Sequence, residues 1–333
     1  MCKPFFQCCV LKCNNAPSPF RTKHIKLKMH RFFQKLLIIG CLLNTGSVFS
    51  AEFADTVEHK FADNDGVSIH YAKAGSGPLA VFIHGFPDFW YTWRHQMEGL
   101  AGDFTVAAMD TRGYNKSDQP VGVENYDMEL LINDVVAIIE NEGRESAVII
   151  GHDWGGGIAW SFAAARPDLT SQLIIINLPH VKNLARELAK MDEQHRNSQY
   201  ARNFQSLSSH ENISAERLAT SLSRGDEALY AIYLDAFENS SADAMMNYYR
   251  ANFPREPYTS GAFLEVARIK MPVLQFHGLA DTALLANSLN NTWEELDQDW
   301  TLVTIPGVGH FPHHDKPEKV TNMMKAWLEL QIE

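Results

Sequence analysis

Alternating polar and apolar positions in "HKFADNDGVSIHYAKAG" (59–75) fall into two runs around "NDG", which predicts an antiparallel hairpin. "LAVFIHG" (79–85) is instead continuously apolar, the pattern of a strand covered on both faces. Helical and strand periodicities then alternate. "TWRHQMEGLAG" (92–102), "MELLINDVVAIIENEG" (128–143) and "GIAWSFAAA" (157–165) read as helices. "TVAAMD" (105–110), "SAVIIGHD" (146–153) and "SQLIIINLP" (171–179) read as strands. From 180 to 265 no buried strand is visible and the chain is polar-helical. Strands resume at "MPVLQFHG" (271–278) and "WTLVTIPG" (300–307), and "PEKVTNMMKAWLELQ" (317–331) closes the chain as a helix. Such alternation predicts an α/β fold, a mostly parallel sheet with helices on both faces. Residues 51–179 and 266–333 form its core, and 180–265 an inserted helical lid.

The first 50 residues break the pattern. They hold eight Lys and Arg, no Asp or Glu, and all five cysteines. "MHRFFQK" (29–35) followed by "LLIIGCLLNTGSVFS" (36–50) has the form of a basic and then an apolar leader, with Val48 and Ser50 before a cut at Ala51. Met29 is then a candidate start, the alternative being an unusually long leader, and the mature chain is expected to be secreted or periplasmic. Without a cysteine after residue 50, no disulfide can hold the core. The whole chain carries −11, and with its eight basic leader residues removed the remainder reaches −19, which argues against nucleic acid and anionic membrane surfaces as partners. No later apolar run is long enough to span a membrane.

Candidate chemistry gathers where strands end. "GHDWGG" (151–156) joins a strand to a helix through a glycine-framed turn, with Asp153 at its centre. A nucleophile raised on so tight a turn needs small neighbours, because a Cβ would clash across it, and the following helix offers free N–H groups to an anion. Asp281 in "FHGLADTALL" (276–285) and His310 in "GVGHFPHHD" (307–315) each lie just beyond a later strand. A carboxylate, a carboxylic acid and a histidine in that order can converge at the carboxyl ends of adjacent parallel strands. "HGFP" (84–87) ends an early strand, so the backbone N–H groups of Phe86 and Trp154 are placed to form an oxyanion hole. His84 and His152 read as structural, bonded to loop backbone. Asp110 and Arg112 read as braces of the "RGYN" loop, His180 as a polar contact at the lid hinge, and His313 and His314 as surface residues rather than metal ligands.

Five stretches in one order, "HGFP", "DTRGYNKSDQP" (110–120), "GHDWGG", "INLPH" (176–180) and "GVGHF", resemble the epoxide hydrolase branch of the α/β-hydrolase fold, over residues 57–331. The resemblance implies Asp153 as nucleophile, His310 as general base and Asp281 as the acid orienting it. It also implies two lid tyrosines that protonate the epoxide oxygen. "SQYARNFQ" (198–205) matches the first at Tyr200 and "MNYYRANFP" (246–254) the second at Tyr249, with Tyr248 the alternative register. Some relatives carry the acid after an earlier strand, but Asn177 stands there in "INLPH". The expected substrate is an apolar epoxide in a pocket lined by Phe86, Trp90, Trp154, Phe204 and Phe311, with no cofactor and no metal. Two other readings remain: a haloalkane dehalogenase using the same aspartate, and a non-catalytic binding protein of the same fold. The oligomeric state stays open between monomer and homodimer.

Overall fold

The computed structural model describes residues 52–259 and 266–331, so the leader and its cleavage site lie outside the described residues. Eight strands form one sheet: β1 (Glu58–Asn64), β2 (Val67–Gly75), β3 (Leu79–Ile83), β4 (Thr105–Met109), β5 (Ala147–His152), β6 (Thr170–Ile176), β7 (Val273–Gly278) and β8 (Trp300–Ile305). Their order is β1-β2-β4-β3-β5-β6-β7-β8. β2 runs antiparallel to both β1 and β4, and every other pairing is parallel. At the β1–β2 turn both Asp65 and Gly66 have positive φ, the twist a two-residue hairpin requires.

Every residue of β3, β4 and β5 is buried, which only a sheet covered on both faces allows. The cover comes from α1 (Arg94–Leu100), α2 (Met128–Asn141) and α3 (Trp154–Ala165), and from the closing helix described below. The helix expected over 92–102 is divided. Residues Trp90–Trp93 make a 3₁₀ turn first, because the backbone N–H of Trp90 is held by Asp110 Oδ1 (2.9 Å) and the chain must leave that anchor before it can coil. The strand order reverses at β3, whose neighbours are β4 on one side and β5 on the other. The crevice at the carboxyl ends of the strands therefore opens there.

Between β6 and β7 the described chain is helical: α4 (Val181–Ala189), α5 (Glu193–Asn197), α6 (Gln199–Phe204), α7 (Ala215–Ser223), α8 (Glu227–Glu238) and α9 (Ala242–Asn252). Ser214, Asp226 and Ser241 cap the last three, each accepting from first-turn N–H groups. Arg250 is the hub of this layer. It donates to the carbonyls of Ser206 and Leu207 and to the side chains of Asp243 and Asn247, which joins α9 to the segment after α6. The layer is tied to the core where Ser241 N–H donates to Gly113 O (3.0 Å) and Tyr248 Oη donates to Arg112 O (2.8 Å). After β8 come α10 (Pro312–Asp315) and α11 (Pro317–Leu330). Among the described residues no helix is long and apolar enough to cross a membrane.

Candidate active site

Asp153 stands between β5 and α3 with φ 52° and ψ −121°, a conformation that side-chain-bearing residues rarely adopt. The surroundings hold it there. A Cβ on Gly155 would sit 2.0 Å from Ile83 O, and one on Gly151 would sit 2.2 Å from Gly155 O. Gly85 faces the carboxylate itself, since a Cβ there would lie 2.5 Å from Asp153 Oδ1. Only glycine lets these three segments pack so closely, and that closeness aims the carboxylate out of the sheet.

The two carboxylate oxygens differ. Oδ1 accepts from the Phe86 backbone N–H at 2.8 Å, and the Trp154 N–H, at the start of α3, helps to favour the charged carboxylate. Oδ2 faces His310 Nε2 at 3.4 Å. Burial raises the pKa of Asp153, but the hydrogen bond and charge of His310 outweigh burial and hold it below the usual carboxylate range. On the far side of the ring, His310 Nδ1 meets Asp281 Oδ2 at 2.7 Å. Asp281 Oδ1 accepts from the N–H groups of Ala283 (2.8 Å) and Leu284 (3.1 Å). Despite burial, these bonds and His310 bring Asp281 down to about 2. For His310 burial lowers the pKa, but two flanking carboxylates raise it to about 10. At neutral pH the ring is an imidazolium held between two anions.

Asn177, which the sequence reading used only to exclude an acid at its position, has a role of its own. Its Nδ2 donates to Asp281 Oδ2 (2.7 Å) and to Gly309 O (3.2 Å), and its Oδ1 accepts from Gly278 N–H (2.9 Å). One amide thus fixes the acid, the end of β7 and the loop carrying His310. Gln194 adds a lid contact to the same acid loop, donating to Ala283 O and accepting from Leu285 N–H, both at 2.8 Å. No local motif marks either residue, because their partners are more than 80 residues away in sequence.

Tyr200 and Tyr249 face Asp153 across a cavity of about 40 Å³, with Trp154, Leu178, Val181 and Phe253 among its other walls. Their rings pack edge to face, 6.3 Å between centroids. Burial raises both phenol pKa values well above their ordinary range, so both stay protonated donors. Tyr248 points elsewhere and is committed to Arg112 O, so of the two registers it is Tyr249 that reaches the cavity.

Other expected residues lie differently. Trp90 is outside the cavity, packed on His59, Phe89 and Tyr91 by the hairpin. Phe204 stands behind the two tyrosines and contacts both rings, 5.7 and 5.1 Å away, as well as Phe86. Phe311 flanks His310 and His152 rather than the cavity. Among the described residues His180 makes no polar side-chain contact. It is fully buried edge-on against Trp160, with neither ring nitrogen bonded. His313 is fully buried and His314 nearly so; neither is a surface residue, because α10 turns both rings inward. His84 and His152 do bond loop backbone, at Gly85 O and His310 O. Asp110 accepts from Trp90, Asn115 and Lys116, and Arg112 forms a bidentate pair with Asp134, so both brace their loop.

A carboxylate on a strained strand-to-helix turn, backed by a histidine–acid pair and a backbone donor, has the layout of an α/β-hydrolase site with an acidic side chain at its central turn. The α/β hydrolase fold family matches residues 78–317, and the chain belongs to it, within its epoxide hydrolase branch. The chain is 33% identical to epoxide hydrolase 1 of Caenorhabditis elegans over 280 residues, covering 79% of this chain and 68% of that one. It is 32% identical to the AB hydrolase superfamily protein YfhM of Bacillus subtilis, over 83% of this chain and 100% of the other. Among solved structures, the epoxide hydrolase of Bacillus megaterium in complex with an inhibitor superposes with a TM-score of 0.76. That pair shares 31% identity over 81% of this chain and 100% of the other.

Proposed function

We propose that the chain opens apolar epoxides to vicinal diols through an ester on Asp153. The observation that carries this is the placement of Asp153, Tyr200 and Tyr249 around one apolar cavity. With Oδ1 held by the Phe86 backbone N–H, Oδ2, the oxygen that faces His310, attacks the epoxide carbon, forming the C–O bond of the ester as the ring C–O bond breaks. A serine here would give an ether that water cannot readily cleave, whereas an ester can be hydrolysed. Negative charge develops on the departing oxygen, and a phenol of the Tyr200–Tyr249 pair protonates it.

Ester formation also changes His310. One of its two flanking anions becomes neutral, so the imidazolium loses much of what kept it charged and can return a proton to the phenolate. The neutral ring then takes a proton from water, whose oxygen attacks the Asp153 carbonyl carbon. The oxyanion of that tetrahedral intermediate falls on the Phe86 and Trp154 N–H groups. Collapse releases the diol and restores both the carboxylate and the imidazolium.

This charge coupling is testable without substrate. Asp153→Asn removes the anion as alkylation does, so His310 should titrate well below about 10, read from its imidazole resonances by NMR. A midpoint unmoved by the substitution would mean that residue 153 does not hold the proton. The pathway as a whole is tested by one turnover of styrene oxide in heavy-oxygen water. The label should enter the Asp153 side chain, and label found only in the diol would exclude the ester.

A further inference from the structure

Behind the catalytic histidine lies a second cluster that the reaction does not use. Asp88 is fully buried, and among the described residues its Oδ2 has no hydrogen-bond partner, although it lies 3.5 Å from His314 Nε2. The Thr92 hydroxyl oxygen lies 2.5 Å from His314 Nε2 and 2.9 Å from His313 Nε2. One candidate ligand atom from each of Asp88, His313 and His314 falls within 4.8 Å of the others. One hydroxyl carries one proton and cannot donate to both rings at once. One ring can donate its Nε2–H to that hydroxyl while the hydroxyl donates to the other, but Asp88 Oδ2 is still left without a donor, which is costly for a buried carboxylate unless a positive charge sits beside it.

We propose that Asp88, His313 and His314, with the Thr92 hydroxyl as fourth donor, form a divalent-cation site suited to Zn²⁺. Two imidazoles and a carboxylate are a donor set that Zn²⁺ favours. A tetrahedron with bonds of about 2.0–2.1 Å has edges of about 3.3 Å, so the Asp88–His314 edge fits already and the Thr92 contacts must open by less than 1 Å. The nearby cations are engaged elsewhere. Arg94 donates to Tyr91 O (3.2 Å) with its guanidinium over the Tyr91 ring, and Arg224 pairs with Asp315.

The position gives the ion a structural role. Asp88 follows the oxyanion donor Phe86 by two residues, and His313 follows His310 by three. The His313 ring is 4.5 Å from that of His152, whose Nε2 is bonded to His310 O (2.8 Å). A cation here would clamp the loop that binds the oxyanion to the loop that carries the base, outside the reaction itself.

The test uses the full chain, stripped with chelator and with its cysteines alkylated; all five precede residue 51, so the cluster is untouched. Titration with Co²⁺ should give the visible absorption of a four-coordinate ion, saturating at one equivalent and displaced by Zn²⁺, and Zn²⁺ should raise the melting temperature. His314→Gln and Asp88→Asn should each weaken binding by about 100-fold. His314, at the rim of the cluster, serves if the Asp88 variant fails to fold. Absence of a saturable band in the wild-type chain, or a folded His314→Gln variant that binds Co²⁺ as tightly, would overturn the site.

Discussion

His310→Gln should leave the protein able to react with one epoxide and unable to let it go. Intact mass would rise by one substrate per chain, with the adduct on the peptide carrying Asp153, while diol turnover falls by about 10³-fold or more. The asymmetry follows from the geometry. Asp153 is already an anion, so alkylation needs no base. Its Oδ1 donor, Phe86 N–H, is backbone and survives the substitution. Hydrolysis of the ester does need a base, and His310 Nε2 is the nitrogen facing Asp153, 3.4 Å from Oδ2. Glutamine cannot accept a proton from water. Diol release at the wild-type rate would remove His310 from the second step. A variant inert to both addition and turnover would show that the imidazolium is needed for alkylation as well.

The second large effect falls on the first step. With Tyr200 and Tyr249 both changed to Phe, alkylation should slow by about 10²–10⁴-fold while hydrolysis of an ester already formed keeps its rate. Rapid-quench single turnovers separate the two. The rings, and with them the packing on Phe204 and Phe86, are retained, so a fall in alkylation reports the lost O–H groups rather than a collapsed lid. Equal slowing of both steps would deny the tyrosines their role as acids. Either single variant should cost less than the pair, because the two phenols share one cavity wall and the remaining donor still faces the developing alkoxide.

Much of the fold is legible in the sequence. Strand positions in β3 to β7 could be read because strands buried on both faces must be continuously apolar, and the nucleophile turn because a close approach of three backbones leaves room only for glycine. The backbone donor at Phe86 is legible for the same reason: backbone N–H groups follow from where strands end. The pocket wall was read less well. Trp90 was expected there on its aromatic character alone, yet the backbone bond of its own N–H to Asp110 turns that segment toward the hairpin. His313 and His314 looked like surface residues since a polar pair in a loop usually is solvated. Their burial depends on α10 folding against Thr92, more than 200 residues earlier.

The sequence by itself therefore determined the order of strands and helices, because that is written in local spacing and residue type, and it offered candidates for nucleophile, acid, base and two lid tyrosines, whose roles the family resemblance implies. Only the tertiary structure decided that Tyr249 rather than Tyr248 faces Asp153, that Asn177 steers the acid, and that Asp88 meets two histidines. Those are contacts between segments far apart in the chain. Side-chain direction there is set by how layers pack against one another, and no local period encodes it.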